Sequence, residues 1–192
     1  KNVAMDTGCI PQLSDGMVSV EVKRSIIDER VSMHGFQRGN IVGLNGKSIF
    51  DGNDYSDREY VQQAMGGAVY VSEPLVSKVT GELSIIVAAP IYAGGSRGSS
   101  IVGVVYFVPP ETFLNDIVSS IKVSENSRAY MINKSGDTIA DNTLDTITTQ
   151  NIERDAQSDK SLKSRAVLHE AMRRGENGFG RIKASDGPRF LA

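Results

Sequence analysis

The first strong pattern of apolar and polar positions along the chain is that of an amphipathic helix. Apolar residues recur at three- and four-residue spacing between Val18 and Val31, with charged residues between them. Gly35 follows the last apolar position, and glycine readily adopts the left-handed backbone conformation that ends many helices. The spacing therefore predicts a helix from about Ser19 to Met33, after an irregular first segment.

Beyond this helix the apolar positions follow the two-residue period of β-strands. Asn40 to Phe50 alternates around Asn45-Gly46, a dipeptide that supplies the positive backbone angles of a two-residue hairpin turn, so two strands are expected there. A polar loop and a helix from near Ser56 to Met65 come next. Three β-rich runs then follow, at Ala68 to Lys78, Leu83 to Tyr92 and Ser100 to Val108. The mixture of helices and hairpin-connected strands predicts an α+β fold.

The second half of the chain repeats the order of elements in the first half. Residues 130–141 repeat the strand, glycine turn and strand of residues 41–51. Farther along, Ala171-Met172 lies in a helical pattern followed by glycine, as Ala64-Met65 does. Two matches in the same order predict a duplicated fold. The second copy ends before a counterpart of the first copy's last long strand, so that strand is expected to be missing.

These patterns divide the chain into four predicted parts. Residues 1–36 form an N-terminal helical segment, and residues 37–110 form a first module. Residues 111–128 form a connecting helix that follows a pair of prolines, and residues 129–192 form a second module. Each module is expected to contain an antiparallel sheet flanked by helices.

Composition excludes several classes of protein. The 21 basic and 23 acidic residues nearly balance, at a net charge of -2, and no basic stripe suits nucleic acid. Cys9 is the only cysteine, which excludes an internal disulfide and a thiolate metal cluster. No run of about 18 apolar residues is present, so any transmembrane helices are expected outside this fragment.

Three short motifs resemble catalytic or metal sites but lack a necessary residue. Gly46-Lys47-Ser48 resembles the end of a phosphate-binding loop, but Ile41 stands where the first glycine is needed. Residues 51–57 lack the glycine and the closing glutamate of a calcium loop. His169-Glu170 begins like a zinc-peptidase helix, but Arg173 replaces the second histidine. The sequence therefore predicts no enzyme, no metal site and no cofactor.

The segment around Arg58 is the most informative for ligand binding. Ser56 and Glu59 have the spacing of a capping box, in which each side chain binds a backbone N–H at a helix start. Arg58 would then lie in the first turn, where its guanidinium could hold a ligand carboxylate beside free backbone N–H groups. A well-capped helix and a ligand anchor are compatible interpretations of these residues.

Several segments together resemble the double Cache family from about Ser19 to the end of the chain. The segments are Asp54 to Tyr60, Tyr70 to Pro74, Val79 to Gly81, Ile85 to Pro90, Val102 to Val105 and Tyr130 to Gly136. Members of this family are periplasmic or extracellular sensors of bacterial chemoreceptors, histidine kinases and membrane-bound diguanylate cyclases.

The resemblance implies a long N-terminal helix, a membrane-distal PAS-like module that holds the ligand and a smaller membrane-proximal PAS-like module. The expected function is that of a chemoreceptor sensor domain, which binds a small molecule outside the cytoplasm and relays a conformational signal across the cell membrane. A homodimer is expected in the full-length receptor. A sensor of a diguanylate cyclase or histidine kinase, and a degenerate module that binds a partner protein, remain alternatives.

Residue by residue, the resemblance assigns Arg58 to the carboxylate-binding arginine of the amino-acid-binding branch. Tyr60-Val61 stands where that branch has Trp-Tyr, and apolar Val108 stands where it has the aspartate that binds the ligand amine. A carboxylate or another small polar ligand with an apolar or aromatic body is therefore expected rather than an α-amino acid. The predicted ligand-binding residues are Arg58, Tyr60, Tyr70, Leu75, Ser77, Tyr106 and Val108. For each of the tyrosines, ordinary core packing is the competing interpretation.

Overall fold

The structure is a computed structural model that describes residues 1–76, 79, 83–110, 113–184 and 187–191. The spatial contacts between Cα atoms divide the chain into two compact units, Lys1–Glu111 and Thr112–Ala192. The chain is α+β, with an antiparallel sheet flanked by helices, so the predicted fold class is confirmed at that level. Within the described ranges, no helix has the length and apolar character needed to cross a membrane.

Unit 1 is built around one antiparallel sheet. In chain order its described elements are α1 (Asn2–Gly8), α2 (Pro11–Ser14), α3 (Val20–His34), β1 (Arg38–Gly43), α4 (Glu59–Met65), β2 (Tyr70–Val71), β3 (Leu75–Val76), β4 (Leu83–Ser84), β5 (Val87–Tyr92) and β6 (Ile101–Val108). Strands β1, β6, β5 and β2 pair in that order, and β3 pairs with β4 in a separate hairpin.

Helix α3 agrees with the predicted amphipathic helix to within one residue at each end. Ser19 is its N-cap, and the Ser19 hydroxyl accepts a hydrogen bond from the Val22 N–H at 3.4 Å. Gly35 ends the helix in the left-handed conformation, with a φ of 66°. Both boundaries therefore follow from local residue types that the sequence displays.

Two short helices replace the irregular first segment that was predicted, so that prediction is wrong. Proline at the start of α2 suits a first helical position, where its missing N–H costs nothing. Helix α1 packs against β5, and its Ala4 and Thr7 are buried there. Gly8 permits the close approach, because a side chain at Gly8 would overlap the carbonyl oxygen of Pro90.

The predicted turn at Asn45-Gly46 forms, but the strand expected after it does not. Gly46 has a φ of 76°, and its N–H donates to the Gly43 carbonyl at 2.9 Å. Beyond the turn, Ser48 makes an isolated bridge to Val42. The Ser48 hydroxyl accepts hydrogen bonds from the Phe50 and Asp51 N–H groups at 3.0 Å and 3.1 Å, so the chain turns after Ile49 and the ladder ends.

The three predicted β-rich runs become short strands and one long strand. The run Ala68 to Lys78 contains β2 and β3, and the run Leu83 to Tyr92 contains β4 and β5. The third run becomes β6. The end of the first run and the predicted Thr80-Gly81 turn lie outside the described residues.

The two faces of β6 pack into different hydrophobic clusters, as its alternation predicts. Val104, Tyr106 and Val108 lie in the cluster that contains α4 residues. Val105 and Phe107 lie in the cluster on the opposite face, which includes residues of the N-terminal helices. Because both faces are covered, every residue of β5 is buried as well. Each large apolar side chain buried here stabilises the fold by roughly 1.5–3 kcal/mol.

Unit 2 contains two pairs of antiparallel strands and three α-helices among its described residues. In chain order its elements are α5 (Phe113–Ser120), β7 (Tyr130–Ile132), β8 (Thr138–Asp141), α6 (Ile152–Asp155), α7 (Lys163–Arg173), β9 (Gly180–Ala184) and β10 (Gly187–Leu191). Strand β7 pairs with β8 across a turn at Gly136, which has a φ of 86°, and β9 pairs with β10. The second module as a PAS-like copy of the first stays a prediction.

Candidate ligand-binding site

Helix α4 begins at Glu59, three residues later than the sequence predicts, so the capping-box prediction is wrong. The Ser56 hydroxyl and the Ser56 N–H both bind the Asp54 carboxylate, at 2.6 Å and 2.9 Å, and do not cap the helix. Arg58 is the N-cap, in an extended backbone conformation without a side-chain capping bond. The Arg58 side chain therefore projects from the residue before α4 rather than from its first turn.

A small cavity lies beside this position, between α4, the sheet and the β3–β4 hairpin. Its lining residues are Arg38, Tyr55, Arg58, Tyr60, Leu75, Val79, Ile86 and Tyr106. The cavity volume is about 10 Å³, close to the space that one water molecule needs. In this arrangement the cavity is mostly filled by its own side chains.

Four of the predicted ligand-binding residues meet at this cavity: Arg58, Tyr60, Leu75 and Tyr106. Tyr70 and Val108 pack in the same hydrophobic cluster without lining the cavity. Ser77 lies outside the described residues.

The structure adds cavity residues that sequence reasoning missed, among them Arg38, Tyr55 and Ile86. Tyr55 belongs to the Asp54 to Tyr60 segment, so its local motif was a signal that could have identified it. Arg38 had no such signal. It reaches the cavity because it is the register partner of Val108 across β1 and β6.

Three tyrosines form a nearly solvent-free wall of the cavity. Tyr106 makes edge-on contacts with Tyr60 and Tyr55, with ring centroids 5.3 Å and 5.8 Å apart. All three side chains are at most 3% exposed. Burial raises the pKa of Tyr60 and of Tyr106 well above the usual value for a phenol. These hydroxyls are therefore neutral near pH 7 and serve as hydrogen-bonding groups.

A polar network, buried apart from the exposed residue Asp51, holds two of these rings in place. The Asn40 Nδ2 donates to the Tyr106 hydroxyl at 3.1 Å and to Asp51 Oδ2 at 3.0 Å. The Tyr55 hydroxyl donates to the same Asp51 oxygen at 3.0 Å. The Ser48 hydroxyl donates to Asn40 Oδ1 at 2.8 Å. Because each buried polar group has a partner, the network orients the rings without leaving a desolvated group unsatisfied.

The chemistry of the cavity suits binding rather than catalysis. Arg38 and Arg58 bring guanidinium groups to it, and no carboxylate is among the described lining residues. Guanidinium groups bind carboxylates through paired N–H donors. In the described part of the chain, no group of three or more His, Cys, Asp or Glu side chains is placed to hold a metal ion.

Comparison with known proteins identifies what this architecture is similar to. A family model described as a Cache domain matches residues 12–191. A search of curated proteins gives no match.

Among solved structures, the ligand-binding domain of the Campylobacter jejuni chemoreceptor Tlp3, in complex with 4-methylisoleucine, has a TM-score of 0.70 and 16% identity; the match covers 98% of this chain and 73% of that one. The ligand-binding domain of the Pseudomonas fluorescens chemoreceptor CtaA, in complex with L-serine, has a TM-score of 0.66 and 15% identity, over 98% of this chain and 75% of that one. The extracellular domain of mmHK1S-Z2, a candidate histidine kinase, has a TM-score of 0.64 and 17% identity, over 97% and 78%. At these identities the likeness shows the fold alone.

Proposed function

Because the chain belongs to the Cache domain family, whose members are ligand-binding sensor domains rather than enzymes, we propose that unit 1 binds a small carboxylate-bearing molecule outside the cytoplasm. The parent protein is a bacterial chemoreceptor, anchored in the cell membrane by helices outside this fragment. Unit 1 is the membrane-distal PAS-like module that holds the ligand, and unit 2 is the membrane-proximal module that relays the signal.

The observation that carries this proposal is the presence of Arg38 and Arg58 at one cavity walled by neutral phenols. A carboxylate that enters gains charge-assisted hydrogen bonds from guanidinium groups, which are stronger than neutral hydrogen bonds. The Tyr60 hydroxyl can add a donor at the same place, whereas the Tyr55 hydroxyl already donates to Asp51. The attraction between the ligand carboxylate and the guanidinium groups is stronger in a cavity shielded from water than in bulk water. An anionic group that pairs well is therefore favoured there.

The ligand we propose is a carboxylate without a free amine. The relatives above were solved with 4-methylisoleucine and with L-serine, which are α-amino acids. In this chain, fully buried Val108 stands where the family pattern has an amine-binding aspartate, and it pairs with Arg38. Among the described lining residues, an ammonium group placed there would find no carboxylate partner and would face a cation, which is costly in a buried site.

A ligand larger than a water molecule must displace some of the lining side chains. The tyrosines are held by packing and by the Asn40 network, whereas Val79 is 51% exposed at the outer side of the cavity. We therefore place the entrance at Val79 and Leu75. Binding stabilises the arrangement in which this side has opened, and a shift between two arrangements of paired receptor helices carries the signal.

Calorimetry tests the proposal. Purified protein is titrated with amine-free carboxylates (acetate, lactate, propionate, succinate and benzoate) and with L-serine and L-valine. We expect saturable binding for at least one amine-free carboxylate and none for the amino acids. Arg58→Ala should weaken binding by roughly tenfold or more, and Arg58→Lys should also weaken it because lysine lacks the paired donors. Arg97→Ala, at an exposed position in the same unit, is the matched control and should bind like the parent.

Two results would overturn the proposal: binding that Arg58→Ala leaves unchanged, or binding of L-serine or L-valine in preference to the carboxylates. Absence of binding across the whole panel would favour a second candidate function. In that case unit 1 is a degenerate module that recognises a partner protein. The cavity volume of about 10 Å³ is the observation that motivates this interpretation. Co-purification of a receptor partner that survives Arg58→Ala would then support it.

The class of output domain in the parent protein is tested separately from ligand binding. A histidine kinase or a diguanylate cyclase is the alternative to a chemoreceptor. Fusing the sensor to each class of output and measuring the ligand response distinguishes them.

A further inference from the structure

Helix α7 in unit 2 carries buried polar atoms that have no partner. These atoms are Ser164 Oγ, Arg165 Nε and His169 Nδ1, and none has a hydrogen-bonding partner among the described residues. His169 is fully buried. Buried polar groups in proteins are almost always satisfied, so several such atoms on one helix call for an explanation.

Two of these side chains, Arg165 and His169, contact the ring of Tyr130 on β7. His169 Nε2 lies 2.7 Å from the Tyr130 hydroxyl, and the two rings stack with centroids 5.3 Å apart. The Arg165 guanidinium lies over the same ring, with Cζ 5.1 Å from its centroid. Arg165 and His169 are four residues apart and so share one face of α7.

The hydrogen-bonding directions in this cluster leave donors without acceptors. The positive charge of Arg165 lies over the Tyr130 ring, and a nearby cation favours the phenol as the donor in its bond to His169 Nε2. We assign the remaining ring proton of neutral His169 to Nδ1 on this basis. Both Arg165 Nε and His169 Nδ1 are then buried N–H donors for which the described residues provide no acceptor.

The acidic side chains near α7 do not fill this role. The Glu153 carboxylate is bound by Arg173 through two 2.6 Å hydrogen bonds. Glu170 is paired with Arg174 at 3.5 Å. No described carboxylate lies within ion-pair distance of the Arg165 guanidinium.

The predicted duplication relates this cluster in unit 2 to the site proposed in unit 1. Arg58 lies six residues before Ala64-Met65, and Arg165 lies six residues before Ala171-Met172. Tyr130 occupies the position in its strand that Asn40 occupies in β1 when the two glycine turns are matched. By this spacing Arg165 corresponds to Arg58, although Arg58 precedes α4 and Arg165 lies within α7.

We propose that Tyr130, Arg165 and His169 form a second binding site, in unit 2, for a small monoanion. The anion accepts hydrogen bonds from Arg165 Nε and His169 Nδ1 and balances the guanidinium charge. Because these atoms are shielded from solvent, the occupant has only a few heavy atoms, as formate, acetate or chloride does. The site is separate from the cavity at Arg58 and does not depend on what that cavity binds.

The test uses protein labelled with ¹⁵N in its two histidines, at pH 7, titrated separately with formate, acetate and chloride against a sulfate background. We expect the His169 Nδ1 resonance to shift in a saturable manner with at least one anion, while exposed His34 does not. The arms identify whether a carboxylate or a halide is preferred. Arg165→Gln should weaken the apparent affinity by roughly tenfold or more, and Arg128→Gln, at an exposed position of the same unit, should leave it within about twofold.

Arg165→Lys covers the case in which Arg165→Gln does not fold. Lysine keeps the charge but lacks the Nε donor, so the affinity should fall while the resonances of unit 2 stay dispersed. The proposal is overturned if His169 shifts only linearly and in parallel with His34, or not at all. A saturable shift that both Arg165 variants retain would also overturn it.

Discussion

Asn40 on β1 and Tyr106 on β6 face each other in the antiparallel pair, and the Asn40 amide nitrogen donates to the Tyr106 hydroxyl at 3.1 Å. The same nitrogen binds Asp51, so one side chain joins the sheet, the following loop and a wall of the cavity. The two residues are 66 positions apart in the chain. Their contact therefore couples the stability of unit 1 to the shape of its candidate site.

Replacing Asn40 by alanine should destabilise unit 1 by about 2–3 kcal/mol. The change strands the Ser48 hydroxyl and removes a donor from Tyr106 and Asp51, and unsatisfied buried groups cost about 1–3 kcal/mol. Urea unfolding at pH 7 measures the effect. Asn53→Ala, at an exposed position of the neighbouring loop, should change stability by less than about 0.5 kcal/mol. Equal effects for the two variants would contradict the network's importance.

Gly8→Ala should destabilise the protein by about 2 kcal/mol or more, because the new methyl group would overlap the Pro90 carbonyl oxygen and push α1 away from β5. Thermal unfolding compares it with Gly16→Ala. Gly16 has open space around its Cβ position, so that control should be neutral or slightly stabilising. If the two substitutions behave alike, α1 does not pack on the sheet in this manner.

Glu153→Gln should cost unit 2 about 1 kcal/mol. Glu153 and Arg173 form an ion pair that is joined by two hydrogen bonds and partly shielded from solvent. Arg173 also donates to the Lys134 carbonyl at 3.1 Å. Glu170→Gln removes a more exposed ion pair with Arg174 and should change stability by less than about 0.5 kcal/mol. Urea unfolding of both variants, followed in unit 2, distinguishes the two kinds of pair.

Stability should fall as the pH drops from about 6.5 toward 4, partly through His169. Burial lowers the pKa of His169 from 6.5 to about 4, and the charge of Arg165 acts in the same direction. The unfolded chain therefore binds this proton at a higher pH than the folded chain, so acidification favours unfolding. The loss attributable to His169 reaches about 3 kcal/mol once the pH is below 4.

The measurement for His169 is the difference between the stability–pH curves of the parent and His169→Gln from pH 7 to 4. His169→Gln should have the shallower curve, because the glutamine does not titrate. His34→Gln, at an exposed position of unit 1, is the matched control variant. Parallel curves for the parent and His169→Gln would show that His169 is not protonated on unfolding in this range.

Much of the candidate site could be predicted from local sequence. Arg58 and Tyr60 belong to one short segment, and the alternation of β6 places Tyr106 on the same face as Val108. Arg38 could not be predicted in this way, because its position depends on pairing with a strand far along the chain. Leu75 was expected at the site and lines the cavity.

The errors have a common physical origin in competition between nearby partners. Ser56 and Glu59 have capping-box spacing, but the Ser56 hydroxyl donates its hydrogen bond to the Asp54 carboxylate and does not cap the helix. The Ser48 hydroxyl likewise bonds the Phe50 and Asp51 N–H groups and turns the chain, so the hairpin strand does not continue. A spacing rule states which bonds are possible, and only the folded chain decides which acceptor lies nearest.

The sequence by itself determined the helix from Ser19 to Gly35, the glycine turns at Gly46 and Gly136, and the two-faced pattern of β6. These features depend on capping, positive φ and side-chain periodicity, which act over a few residues. Only the tertiary structure decided that Arg38 joins Arg58 at one cavity and that the cavity is nearly filled. Those outcomes depend on strand register and side-chain packing between distant segments, which local patterns do not encode.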